Sequence, residues 1–179
     1  MSRFDVAHER NAVFAESGGH EAATIMPRLM LTVLTCLDPR VDPAAIFGLR
    51  LGDAAVLRNA GGRVTGAVLE DLAFIGQMAE AAVAEGPLFE VAVVHHTSCG
   101  TALLADEAIR ARYGARIGVD PAALADRAVV APEATVRADV ARLRSSSAIP
   151  DRIAISGHVY DVQTGRVQTV VEPVTVAAA

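Results

Sequence analysis

Two segments decide what this chain can become: Arg28 to Thr35, reading RLMLTVLT, and Phe89 to Val94, reading FEVAVV. Both are apolar and partly β-branched throughout instead of alternating with polar residues, the pattern of strands buried on both faces of a parallel sheet. A strand so placed needs a crossover to its parallel neighbour, and the intervening sequence supplies helices. Asp42-Pro43 offers an N-cap followed by Pro at the first helical position, so PAAIFG reads as a short helix closed by Gly48. After a short strand at Asp53 to Leu57 and the turn-rich RNAGGRVTG, a long helix is expected from about Thr65 to Ala84. There Val68, Leu72, Ile75, Ala79 and Ala82 recur at spacings of three and four.

The same alternation continues. A helix is expected from about Thr101 to Tyr113, Pro121 and Pro132 each open a further helix, Arg152 to Ser156 is a fourth strand, and DVQTG turns back into Arg166 to Val171. Ahead of all this, Phe4, Val6, Ala7, Val13 and Phe14 stand among charges in a loose helical pattern that Gly18-Gly19 ends. The expectation is therefore one α/β domain over 1–179, a mostly parallel sheet covered by helices on both faces. An N-terminal arm helix falls in 1–27, the core in 28–171, and a frayed end at Ala177 to Ala179. A length of 179 residues suits one such domain.

Charge narrows the function. A formal net charge of −5, with arginines dispersed instead of clustered, argues against a nucleic-acid partner. No apolar run approaches the ~20 residues of a membrane span. The start of the chain, with Asp5, Glu9, Arg10 and Glu16, has no signal-peptide core, so a soluble cytoplasmic protein is expected. The two cysteines, Cys36 and Cys99, are too few for a secreted disulfide scaffold and suit metal or redox chemistry in a reducing compartment.

Both cysteines follow core strands, in the segments Cys36-Leu37-Asp38-Pro39-Arg40 and His96-Thr97-Ser98-Cys99-Gly100. Ligands of an open α/β sheet gather at the carboxyl ends of its strands, and adjacent parallel strands would bring the two segments together. Two thiolates and one imidazole fill three of four tetrahedral zinc positions and leave the fourth for water or a carboxylate, the mark of a catalytic site.

This pair of segments resembles the C-x-D-x-R and H-x-x-C-G signature of the β-carbonic anhydrases, and Arg58-Asn59-Ala60-Gly61-Gly62 resembles a third motif of that family. SGHVYDVQTG near the end is a weaker echo. The resemblance implies one zinc ion per chain held by Cys36, His96 and Cys99, and the reversible hydration of carbon dioxide to bicarbonate. It also implies a dimer as the building unit, either a homodimer or a dimer of dimers. Asp38 would orient the attacking water by accepting its hydrogen bond, and Arg40 would keep Asp38 ionised and in place. In some members the acidic residue swings onto the metal, so Asp38 is also a candidate fourth ligand.

Family spacing selects His96 over His95, which is expected to pack behind the ligand; His8, His20 and His158 receive no role. Gly61 lies in a turn that lines the active-site cleft in the family and is a candidate for substrate binding. Gly100 and Thr101 would open a helix whose N-terminus faces the Cys99 thiolate. The absence of Trp means that the Trp-containing bicarbonate regulatory pocket of some members has no counterpart in that form. Three other readings use the same residues: hydrolysis of carbonyl sulfide or carbon disulfide on this scaffold, a non-catalytic zinc module closed by Asp38, and a redox dithiol. The last leaves His96 unexplained and lacks C-x-x-C proximity.

Overall fold

The computed structural model describes residues 2–176. Its centre is a five-stranded sheet in the order β2-β1-β3-β4-β5, with β1 at Leu31–Cys36, β2 at Ala54–Asn59, β3 at Glu90–His96, β4 at Ala154–Asp161 and β5 at Arg166–Thr175. The first four strands run parallel, and β5 returns antiparallel to β4 after a turn in which Asp161 Oδ1 accepts from the amides of Gln163 and Thr164. The helices are α1 at Asp5–Glu16, α2 at Pro43–Phe47, α3 at Gly66–Ala82, α4 at Glu107–Ile117, α5 at Pro121–Ala125 and α6 at Pro132–Arg144. No helix among the described residues is long and apolar enough to cross a membrane. The expected fraying of Ala177 to Ala179 lies outside the described residues.

Local chemistry sets the element ends. Asp42 caps α2 by accepting from the Ala45 amide at 3.0 Å, and Gly48, at φ 64°, stops it in the left-handed region. Thr65 caps α3 through the Val68 amide. The first strand is shorter than its apolar run. Met30 sits at φ 47°, and its amide turns back onto the Pro27 carbonyl, so Arg28 to Met30 form a turn and pairing begins at Leu31. The segment after Cys99 also departs from expectation. It is a 3₁₀ stretch, Gly100–Ala105, and α4 starts only at Glu107, where Asp106 caps the Ile109 amide at 3.0 Å.

The two faces of the sheet are covered unequally. On one, Val68, Leu72 and Ala79 of α3 and Val136, Val140 and Leu143 of α6 pack with Leu34, Val91, Val93 and Ile155 in the large core. The other carries a small cluster of Val33, Ala92 and Val94, flanked by Leu31 and Tyr160, not a second helical layer of equal extent. Within α3 the buried row includes Gly76, where a Cβ would meet Pro150 Cγ at 2.8 Å, whereas Ala82 is exposed. The helix thus approaches the chain before β4 more closely than any side chain would allow.

Candidate metal centre

Strands β1 and β3 are paired neighbours, so their last residues, Cys36 and His96, emerge side by side at the carboxyl edge of the sheet. His95 and His96 both belong to β3 instead of the loop after it, and they point to opposite faces. Three residues later the chain returns Cys99 to the same point. Ser98 makes that return at φ 54°, a left-handed conformation uncommon for a residue with a Cβ.

The ligand atoms of Cys36, His96 and Cys99 all lie within 4.8 Å of one another, and the three residues are buried. The sulfurs are 3.9 Å apart; a tetrahedral zinc with Zn–S bonds of about 2.3 Å spaces two thiolates about 3.8 Å apart. His96 Nδ1 faces the Thr97 carbonyl at 3.0 Å, an acceptor, so Nδ1 carries the proton and Nε2 keeps its lone pair. That Nε2 is buried with no hydrogen-bond partner. Leaving such an atom unpaired is costly, and a metal ion at this point would engage it together with both sulfurs. The donor set fits zinc.

The two thiols differ. Their mutual hydrogen bond and then burial push Cys36 up to about 11, whereas the bond from Cys36, supplemented by Thr101, brings Cys99 down to about 6. The two sulfurs thus share one proton, and Cys99 has a further partner. Thr101 Oγ1 lies 3.1 Å from that sulfur. Because Gly100–Ala105 is 3₁₀ and no α-helix starts there, this hydroxyl, not a helix dipole, is what the structure sets against the thiolate. Cys36 receives two amides, from Asp38 and Gly61, each at 3.4 Å. Gly61, the candidate for substrate contact, is buried, and its N–H faces this sulfur.

Asp38 and Arg40 form a forked pair: Arg40 Nε reaches Oδ1 at 3.0 Å and Nη2 reaches Oδ2 at 2.7 Å, while the Arg40 amide also donates to Oδ1 at 2.9 Å. The hydrogen bonds from Arg40 hold the Asp38 carboxyl down at about 2, so it is ionised throughout the neutral range. Arg58 supports the same loop by donating to the carbonyls of Cys36 at 3.0 Å and Asp38 at 2.8 Å.

Behind the ligands lies a group that motif reading does not reveal. Asp139, on α6 and 2% exposed, accepts from Arg63 Nε at 2.6 Å and Nη2 at 3.2 Å and faces His95 Nε2 at 3.2 Å. The sequence does hold a signal for it, an aspartate standing inside the apolar stripe Val136, Val140, Leu143 of one helix.

Comparison with known proteins agrees with this geometry. The carbonic anhydrase family model matches residues 31–117. A solved carbonic anhydrase from Streptococcus mutans is 35% identical, with a TM-score of 0.79 over 95% of this chain and 98% of that one. Beta-carbonic anhydrase 1 of Mycobacterium tuberculosis is 27% identical over 89% of this chain and 93% of its own length. Carbon disulfide hydrolase of an Acidianus species is 28% identical over 77% of this chain and 76% of its own. With a relative 35% identical along nearly its whole length, the same fold, and the motif residues gathered at one strand edge, the chain belongs to the β-carbonic anhydrase family.

Proposed function

We propose that this protein is a zinc-dependent lyase that reversibly hydrates carbon dioxide to bicarbonate and a proton, with one zinc per chain held by Cys36, His96 and Cys99. The observation that carries the proposal is the unpaired, buried His96 Nε2 beside two sulfurs at tetrahedral spacing. When bound, zinc supplies the Lewis acidity that makes water a nucleophile near neutral pH.

The chain's own residues do the rest. A carboxylate offers about four lone-pair positions. Arg40 occupies both on Asp38 Oδ1 and one on Oδ2, so a single acceptor position remains, fixed in direction. That position is what Asp38 presents to the attacking water. Because Asp38 stays ionised, it accepts a hydrogen bond and does not compete as a donor. Its commitment to Arg40 supports the catalytic reading over a structural module, which would need Asp38 turned onto the metal as a fourth ligand.

A second reading keeps the same residues and changes the substrate to carbon disulfide or carbonyl sulfide, favoured by the similarity to the Acidianus hydrolase. Stopped-flow hydration of carbon dioxide, with carbon disulfide and carbonyl sulfide hydrolysis run beside it on metal-analysed protein, tests both. Rapid hydration by protein carrying about one zinc per chain is expected. Zinc-loaded protein that turns over only the sulfur substrates establishes the second reading, and absence of zinc overturns both.

We further propose a homodimer or dimer of dimers in a reducing, cytoplasmic setting. Helix α1 supports assembly: it buries none of its residues against its own chain, and Phe4 just ahead of it, with Val6, Val13 and Phe14, is exposed. The free thiols of Cys36 and Cys99 support the compartment.

A further inference from the structure

We propose that Asp139 is a positioning residue for the metal ligand Cys36, acting through Arg63, His95 and the turn Asn59–Arg63; the inference rests on the zinc reading of the site. A carboxylate buried in the apolar face of α6 is not required by packing, since a well-packed apolar residue often does as well at such a position. Its partners explain it. Arg63 closes the turn Asn59–Arg63, His95 meets its Gly62 carbonyl, and Asp139 pairs with both.

The turn is closed locally by a reciprocal pair: Asn59 Oδ1 accepts from the Arg63 amide at 2.9 Å, and Asn59 Nδ2 donates to the Arg63 carbonyl at 2.8 Å. Arg63 Nη1 also donates to the Asp126 carbonyl. His95 Nε2 faces two acceptors, Asp139 and the Gly62 carbonyl at 3.3 Å, so it carries the proton; Nδ1 pairs with Thr135 Oγ1 at 2.8 Å. In front, Gly62 at φ 67° lies so close to β1 that a Cβ would stand 2.9 Å from the Thr35 carbonyl carbon. The turn is thus clamped between β1 and Asp139, and what it delivers is the Gly61 N–H, 3.4 Å from Cys36 Sγ.

That amide matters because two thiolates offset the charge of a bound divalent ion and weaken its effect on water. An N–H directed at sulfur withdraws electron density from the thiolate and restores part of that effect. Asp139 therefore sets the donor strength of Cys36 from the far side of the turn without touching the metal.

The test uses cobalt-substituted and zinc-loaded protein. Asp139→Asn keeps the shape but loses the charge that holds Arg63 in its fork. The sulfur-to-cobalt charge-transfer band should move to lower energy, and kcat of the zinc enzyme should fall about tenfold with KM unchanged. Asp139→Glu should recover part of both. Asp53→Asn is the control: Asp53 is also a buried carboxylate, paired with Arg28 at 2.7 Å, but precedes β2 at the opposite end of that strand from Asn59. It should lower the melting temperature without moving the band. If Asp139→Asn does not fold, the double variant Arg63→Met, Asp139→Leu, which fills the same space with apolar atoms, should show the band shift instead. Folded, cobalt-loaded variants with the wild-type band overturn the proposal and leave the zinc reading standing. Wild-type protein with no thiolate-to-cobalt band overturns the zinc reading, and this inference with it.

Discussion

The guanidinium of Arg40 reaches past Asp38 to Ser98, whose carbonyl accepts from Nη2 at 3.0 Å. One side chain thus ties the loop after Cys36 to the loop between His96 and Cys99, where Ser98 holds its positive φ. The two members of the pair should therefore differ when removed. Asp38→Ala is expected to keep zinc and lose hydration on the order of tenfold to a thousandfold. Arg40→Ala should lose turnover in the same direction and also loosen zinc, because the Ser98 carbonyl is released. Zinc content, melting temperature and hydration rate measured together decide this; Asp38→Ala with full metal and unchanged hydration would refute the role given to Asp38.

The proposed ligands make a simpler demand. Cys36→Ser replaces a soft thiolate with a hydroxyl that stays protonated at neutral pH, in a site where His96 and Cys99 alone offer too few donors. Zinc occupancy should fall sharply from about one per chain. Full retention of metal by this variant sinks the ligand assignment, whatever happens to activity.

How legible was this in the sequence? The parallel core, the arm helix and the meeting of the two motifs were readable because each rests on short-range pattern: unbroken apolar runs, caps at Asp42 and Thr65, ligands just past strand ends. The two misjudged boundaries have different causes, a tertiary contact at the first and a local cap at the second. Met30 turns because Arg28 is drawn to Asp53 at 2.9 Å and its amide to the Gly52 carbonyl. The stretch after Cys99 stays 3₁₀ because the Asp106 cap restarts the helix later. His95, Arg63 and Asp139 come from three separate elements, and no local spacing announces a relationship made only by packing.

Assembly can be checked through the arm. With Phe4, Val6, Val13 and Phe14 all exposed, α1 presents apolar side chains that a second copy would cover in the proposed dimer. Light scattering at micromolar concentration should give a dimer or tetramer, and Phe4→Asp combined with Phe14→Asp should shift it to smaller species. A fully active wild-type monomer contradicts the expectation.

Acid should unfold this protein through its paired carboxylates. The Arg50 amide and Arg28 hold Asp53 below the ordinary carboxyl value. For Asp139, burial pushes upward but the hydrogen bonds from His95 and Arg63 outweigh it, and the net direction is also down. In the unfolded chain both titrate near about 3.9. As pH falls through that value the unfolded state takes up protons that the folded state refuses, so the unfolded state gains free energy advantage and stability drops. The contribution of each pair is thus fully present above about pH 5 and is lost as pH falls toward the lowered folded-state values. Asp53→Asn, which has nothing to titrate at that position, should melt below wild type at pH 7, and the gap should narrow steadily as pH is lowered below about 4. Melting temperatures measured from pH 7 to the acid limit for the two proteins read this directly. A gap that stays constant down to the lowest pH at which both remain folded would show that Asp53 acts through shape alone, and that its ion pair with Arg28 adds nothing to the stability of the fold.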